Sequence, residues 1–527
     1  MRRITLIFLI TVFTCFSVYT QNRWIQQYHD DLTGPGIFID VSYDHGYLLT
    51  GWVVPNFPHY TWLTKTDENG MILWDKFLGS INGSTVVDQF KQSSSGNIYL
   101  CGGTINEGMV DPLIIKLNEC GEKEWCRLIL TTSDNDFFRS IVITPDGGCA
   151  ALIFGAFLPL YNNRTGILKF SPDGELLWQQ YYQSPDQGVD NEDLSNLILT
   201  PDHGFLMTGY CGYPDPVNPS IAWLHPYYVK VDSLGNFEWE IVLHKETGCL
   251  GGKALSSLMN PTQKYYYSCI SHYYHSDTLY AKRPSLVKID LLGNVIGVYD
   301  LVHEDYDWGT LFSAVFFNDS LLAGGANWSY NEDGPRSRAI IFDTLGNIKD
   351  SLTLLNTGWL SKTAITHDGK LLFYNTIEEN GDFDTYLFKL TQDLEQDTFY
   401  TTPFIYDSLC PYQIASDTIV PDDCGVIVGV EDDDKTIGLY DGKTGGLEVW
   451  PNPCREMLNV ECLMLNEGKD YSICIYDIFG RKVLEIKVPD RQNEVQINVE
   501  GYPTGIYLAV LKNGQAMKAN AKFMVVR

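Results

Sequence analysis

The chain has 527 residues, with 37 Lys and Arg against 66 Asp and Glu, for a formal net charge of −29. Nucleic-acid binding needs a positive footprint on the phosphates, so this balance argues against a nucleic-acid partner. At 44% hydrophobic and 20% charged residues the chain is too apolar for disorder, and 32 Tyr, 25 Phe and 46 Gly favour short β-strands joined by tight turns.

Arg2 and Arg3 precede a largely apolar run from Ile4 to Phe13, and polar residues begin at Gln21. That is the layout of a secretory signal peptide over 1–20, with cleavage expected near Thr20 and Gln21. The run is too short to span a bilayer, and no later segment approaches about 18 uninterrupted apolar residues. The mature protein is therefore expected to be secreted or surface-exposed, with no transmembrane segment. Loss of both arginines takes the mature charge to −31.

In such an oxidising compartment the 13 cysteines invite pairing. Cys120 and Cys126 lie six apart across a predicted turn, and Cys410 and Cys424 bracket a loop; each pair is a candidate disulfide. The alternative is free buried cysteines, which suits Cys101, Cys149 and Cys269 within predicted strands.

The region 21–400 is built from repeats. TWLTKTDENGMILW (61–74), PLIIKLNECGEKEW (112–125), TGILKFSPDGELLW (165–178) and PYYVKVDSLGNFEW (226–239) are copies of one phrase, with weaker copies at 284–297, 338–351 and 385–398. Its lysine falls at 65, 116, 169, 230, 288 and 389, with Ile341 in the sixth copy, at spacings of 51, 53, 61, 58, 53 and 48. Upstream of each copy lies a second turn and apolar run, such as SYDHGYLLTGW (42–52) and TPDHGFLMTGY (200–210). Each repeat thus reads as two hairpins, and seven repeats of four antiparallel strands predict a seven-bladed β-propeller.

Within the phrase, Gly70, Gly121, Gly174, Gly235, Gly293 and Gly346 occupy turn positions that need a positive φ. Trp74, Trp125, Trp178 and Trp239 follow four residues later, and their constant offset suits packing between blades better than a ligand platform. The repeated lysine is expected to be structural or solvated rather than a catalytic amine. RWIQQYHDD (23–31) is similar to LLWQQYYQS (176–184), so Trp24 to Tyr28 is expected to close the ring as an outer strand on the last blade.

Residues 401–446 break the repeat and carry the acidic run Glu431 to Asp434, which reads as a linker. Alternating apolar and polar residues with Gly and Asn turns over 447–527 then predict a small Ig-like β-sandwich. Pro451, Asn452 and Pro453 open it, followed by Asp477, Gly480 and Arg481 at a turn, Gly505 and Tyr507 on a strand, and Lys522 before a terminal apolar run. These elements resemble the type A C-terminal sorting domain of the type IX secretion system of Bacteroidota. The resemblance covers about 80 residues, departing at Cys454 where a small or polar residue is usual. It implies export through the type IX translocon, with removal of the domain by a sortase-like peptidase in the region 425–447.

Chemistry leaves little trace. HExxH, GxSxG, P-loop and GxGxxG signatures are not found, and no catalytic residue, cofactor or metal is assigned. His272 and His275 would point to opposite faces of a strand. The repeat phrase resembles the tryptophan-docking repeat of quinone-dependent dehydrogenases but is one residue shorter between Asp and Gly. Ser171 to Trp178 resembles the Asp-box of sialidases with the glycine out of register; both likenesses reflect blade geometry. Asp232, Asp319, Asp343 and Asp407 begin Asp-Ser/Thr-Leu triplets that resemble the Bacteroidota O-glycosylation motif, and also suit turns. The inserts at 157–164 and 211–226 enlarge one side of the third and fourth repeats. The expected function is non-enzymatic binding or adhesion to a glycan or protein. The alternative is a glycan-active or proteolytic enzyme with a site in the propeller channel.

Overall fold

The computed structural model describes residues 24–28, most of 36–401, 410, 414–421, 423–428 and most of 447–526. The expected leader, the acidic run 431–434, Asn452, Pro453, Gly480, Arg481 and Asp407 lie outside the described residues.

Seven sheets of four antiparallel strands follow in chain order. Blades one to six occupy 36–78, 85–130, 137–182, 190–242, 252–300 and 308–355. The seventh takes three strands from 360–390, and Ile25–Tyr28 supplies its outermost, pairing antiparallel to 385–388. The N-terminal strand therefore closes the ring, as the sequence predicted. Its side chains repeat the contacts of an ordinary fourth strand. Trp24 meets Gly70 of blade one as Trp178 meets Gly235 of blade four. The Tyr28 hydroxyl donates to the Gly70 carbonyl, and Tyr182 does the same to Gly235, each at 2.8 Å.

The same contact recurs around the ring. A Cβ on Gly121, Gly174 or Gly293 would press against Trp74, Trp125 or Trp239 of the preceding blade, and all six turn glycines have φ between 76° and 86°. Glycine serves twice here, supplying the left-handed turn and leaving room for an indole. The tryptophans are inter-blade packing residues.

Five of the repeated lysines, Lys65, Lys116, Lys169, Lys230 and Lys389, are buried rather than solvated, and Lys288 is half-buried. Five of the six meet carboxylates of their own repeat. Lys65 pairs with Asp44, Lys169 with Asp146 at 2.7 Å, and Lys230 with Asp202 and Glu238 at 2.8 Å. Lys389 pairs with Asp397 at 3.4 Å, while Lys288 lies over the Tyr265 ring at 4.1 Å. Burial lowers the Lys65 ammonium to about 8 despite its carboxylate partner.

A bulge interrupts the innermost strand of blades one to six, at Gly36/Phe38, Val87/Gln89, Phe138/Ser140, Leu194/Asn196, Ala254/Ser256 and Leu311/Ser313. The residue after it ties neighbouring blades. Gln89 Oε1 accepts from Ser140 Oγ at 2.6 Å, Ser140 Oγ accepts from the Leu197 amide at 3.0 Å, and Asn196 Oδ1 accepts from the Ser257 amide at 2.9 Å.

The segment read as a linker is, in its described part, a strap on the outer rim. Asp417–Ile419 adds a parallel fifth strand to blade one, and Gly425–Val428 adds one to blade two. Two disulfides fasten it, Cys120–Cys410 and Cys126–Cys424. This corrects the expected pairing of Cys120 with Cys126 and Cys410 with Cys424: the four cysteines are bridged, but crosswise. The parallel register sets Gly425 opposite Arg127, so one residue back Cys424 meets Cys126, with Cα atoms 4.8 Å apart. Cys101, Cys149 and Cys269 are free and buried.

The C-terminal unit is a sandwich of a three-stranded and a four-stranded antiparallel sheet around Leu458, Val460, Ile473, Ile475, Tyr507 and Phe523. The outward face of the larger sheet places Cys474, Tyr476, Leu508 and Val510 in one apolar cluster with Leu177, Trp178, Phe205 and Leu234 of blades three and four.

Candidate binding site

Antiparallel order sorts the connections onto two faces. Tight turns join first to second and third to fourth strands on one face. Second-to-third connections and the links between blades lie on the other, here called the hairpin face. In blade one the second and third strands have seven residues each. They have ten in blade four, Phe205–Pro214 and Ala222–Val231, and twelve in blade five, Tyr265–Ser276 and Leu279–Asp290. The insert 211–226 thus lengthens a hairpin on this face, and 157–164 falls at the same position in blade three. The longer extension in blade five was not recognised as an insert, although the run HYYH (272–275) lies on it.

Where these hairpins meet the channel, charged groups rest on aromatic rings. The Arg139 guanidinium lies over Phe137 at 4.3 Å and Phe154 at 5.2 Å, and its Nε is buried without a hydrogen-bond partner. Lys253 Nζ sits 4.2 Å from the Tyr210 ring, whose hydroxyl donates to Asp193 Oδ2 at 2.8 Å. The second oxygen, Asp193 Oδ1, is buried without a partner. Lys282 stands over Tyr273 at 5.9 Å, its ammonium pushed down by burial and by the charge of Lys253.

On the inner strands, the bulge positions of blades two to six are held by Asp88, Arg139, Ser195, Leu255 and Phe312, with Lys362 at the matching register of blade seven. Blades two to four thus carry polar residues at this position, and blades five and six apolar ones. Burial raises the Asp88 carboxyl to about 7 against the pull of Arg139.

Other titratable clusters belong to the framework. Between blades three and four, Glu192 accepts from the Ser184 amide at 2.7 Å, and Glu240 accepts from Tyr227 at 2.7 Å and from Ser184 Oγ at 3.3 Å. Burial pushes Glu192 up to about 7, and Glu240 is raised for the same reason. In blade five Asp300 accepts from Ser285 at 2.7 Å and lies 3.1 Å from His272 Nδ1 and 3.4 Å from Arg283. The serine and the histidine meet the same carboxylate oxygen, so the imidazole does not bridge acid and hydroxyl as a nucleophilic triad requires.

On the rim, a groove of about 840 Å³ runs between the strap and the blade-two turn, lined by Lys76, Lys123, Asp417 and Ile419 among others. Its lysines pair with Asp417 and Asp423 of the strap itself. Cys126, Asp423 and Cys424 form a group of metal-site dimensions among the described residues, but its two sulfurs are joined in a disulfide. Two of the candidate glycosylation triplets are Asx turns: Asp232 Oδ1 accepts from the amides of 234 and 236, and Asp343 Oδ1 from those of 345 and 347.

The sorting-motif residues within the described set lie in the C-terminal sandwich. Pro451 is exposed after the first strand, and Asp477 ends a strand opposite Tyr507. Gly505 begins the strand that carries Tyr507, and Lys522 pairs with Leu508 on the last one. Tyr507 is buried, stacked on Phe523 at 5.6 Å, and its hydroxyl donates to the Pro503 carbonyl at 2.9 Å.

Residues 448–526 match the family model described as the secretion system C-terminal sorting domain. This sandwich is a type IX sorting domain. The domain marks export to the cell surface or extracellular space, and among the described residues no helix is long and apolar enough to cross a membrane. Solved structures similar to the chain include the β-propeller domain of the Trilobed protease from Pyrococcus furiosus. It is 12% identical, with a TM-score of 0.40, over 71% of this chain and 98% of that one. The polysaccharide lyase Uly1 is 9% identical, with a TM-score of 0.41, over 67% and 89%. A protein of unknown function from Dyadobacter fermentans DSM 18053 is 11% identical, with a TM-score of 0.40, over 57% and 93%. No curated protein matches the chain.

Proposed function

We propose that the propeller is the cargo of the sorting domain and acts outside the cell as a non-enzymatic binding or adhesion module for a glycan or protein. The ligand sits on the hairpin face at blades three to five. The supporting observation is the cluster of Arg139, Lys253, Tyr210 and Asp193 beneath the two longest hairpins, with buried polar atoms on Arg139 and Asp193 that have no partner within the described chain. A buried unpaired polar group costs stability, and one kept at a channel mouth is suited to a ligand that completes it. In the same proposal the translocon reads Pro451, Asn452, Pro453, Asp477, Gly480, Arg481, Gly505, Tyr507 and Lys522, and a sortase-like peptidase removes the domain. Tyr507, being a core residue, acts by holding the sandwich together.

The reading is tested by replacing 213–223 with a short turn and screening the full chain and the variant on glycan arrays and against immobilised host proteins. A ligand of the full chain that the folded variant no longer holds is the expected result. Turnover of a bound polymer, or a ligand retained undiminished by the variant, would contradict it.

A further inference from the structure

We infer that the hairpin-face mouth of the channel is a receptor for a uronic-acid polysaccharide, in which Arg139 and Lys253 meet carboxylates of the sugar chain and Asp193 accepts from its hydroxyls. The inference rests on the binding-module reading and names its ligand class.

The chain carries −29, and its repeated lysines are largely engaged by the turn carboxylates of their own blades. At the mouth the pattern differs. Among the described residues Lys253 makes no ion pair; its ammonium is held on the Tyr210 ring, and Arg139 is held on Phe137 and Phe154. A cation stacked on a ring has already lost its conformational freedom, so an arriving anion meets a fixed charge. In a partly buried site the resulting charge-assisted hydrogen bond is stronger than on an open surface.

Interleaved acceptors narrow the class. Asp193 Oδ1 is buried and unpartnered, its other oxygen accepting from the Tyr210 hydroxyl whose ring carries Lys253, and Asp88 lies on the inner strand of the blade before Arg139. A ligand that is anionic at every contact would be repelled there. A uronic-acid chain offers one carboxylate and several hydroxyl donors per residue, so donors and anions alternate as the wall does. Leu255 and Phe312 hold the bulge positions of blades five and six, and Asp88, Arg139 and Ser195 those of blades two to four, an apolar and a polar arc that would suit a pyranose ring with one apolar C–H face and a polar edge. An acidic peptide would also bring backbone amides and carbonyls in a regular ladder, for which this wall of side chains offers no matching edge.

The test is equilibrium binding of the full chain to polygalacturonate, neutral dextran and poly-glutamate. Polygalacturonate should bind about tenfold or more tightly than the other two and weaken as salt is raised. The R139Q/K253M variant should lose about tenfold in that affinity with an unchanged melting midpoint, while K349A, a cation on the outer rim, should change nothing. Should the double variant melt lower, K253E alone, at a partly exposed position, carries the test. Equal affinity for dextran, or full affinity in the folded variants, would overturn the inference. Poly-glutamate bound as tightly as polygalacturonate would assign the mouth to acidic peptides and overturn it also. Dextran binding that disappears when 213–223 is trimmed would leave the binding-module reading standing without this ligand class. Binding of no glycan or protein at all would end both.

Discussion

The repeated lysine shows how one residue can hold a blade together. Lys169 and Asp146 are almost wholly buried, with side-chain exposures of 5% and 2%. Deleting one partner of such a pair leaves the other charge stranded, at a cost of about 3–5 kcal/mol, while replacing both by apolar groups can be nearly neutral. D146A should therefore unfold the propeller at markedly lower denaturant than K169M/D146L, as read from chemical denaturation curves. Equal losses would mean that the pair itself is unimportant.

Glu192 gives a pH dependence. Its folded pKa of about 7 lies above the ordinary glutamate value of 4.5, because burial disfavours the carboxylate and Glu240 adds repulsion, outweighing the Ser184 amide. The protonated form is thus the one that suits the fold. Its contribution is fully present below about pH 4.5 and is lost as pH rises toward 7, by at most about 3 kcal/mol. E192Q should flatten the fall in melting temperature between pH 5 and 8 and leave the variant the more stable at pH 8. A profile parallel to the parent's would count against this role.

At the scale of elements, the ring depends on a short strand far away in sequence. Residues 25–28 supply the outer edge of blade seven, and Trp24 fills the position that an indole occupies at four other junctions. Deleting 21–33 exposes that edge and empties the junction with blade one, so the melting temperature should drop by several degrees or more; an unchanged melting curve would contradict ring closure.

The closure was legible because WIQQY and WQQYY share spacing of Trp, Gln and Tyr. Blade number and turn positions were legible for the same reason, since each repeat restates its hydrogen-bonding problem in sequence. The disulfides were not. Their cysteines are identifiable, but a parallel strand added from about 300 residues away leaves no periodic mark, and nearness in sequence favoured the wrong partners. The channel mouth was equally hidden. Arg139, Asp193 and Lys253 come from three repeats, and nothing in any one repeat distinguishes them until the inner strands are brought side by side.

For the whole molecule, two units answer two questions. The sorting domain settles where the protein goes. In the proposed reading the propeller meets its ligand on the hairpin face, opposite the tight turns where the buried lysine pairs gather. Against a chain of net charge −29, Arg139 and Lys253 are cations held on aromatic rings rather than in ion pairs. Hydrogen–deuterium exchange of the full chain with and without polygalacturonate tests this most directly. The account predicts slowed exchange at the starts of the inner strands of blades three to five, around residues 137–140, 192–195 and 252–255, and along the hairpin of blade four. Protection confined to the turn face, the rim strap or the sorting domain would contradict it.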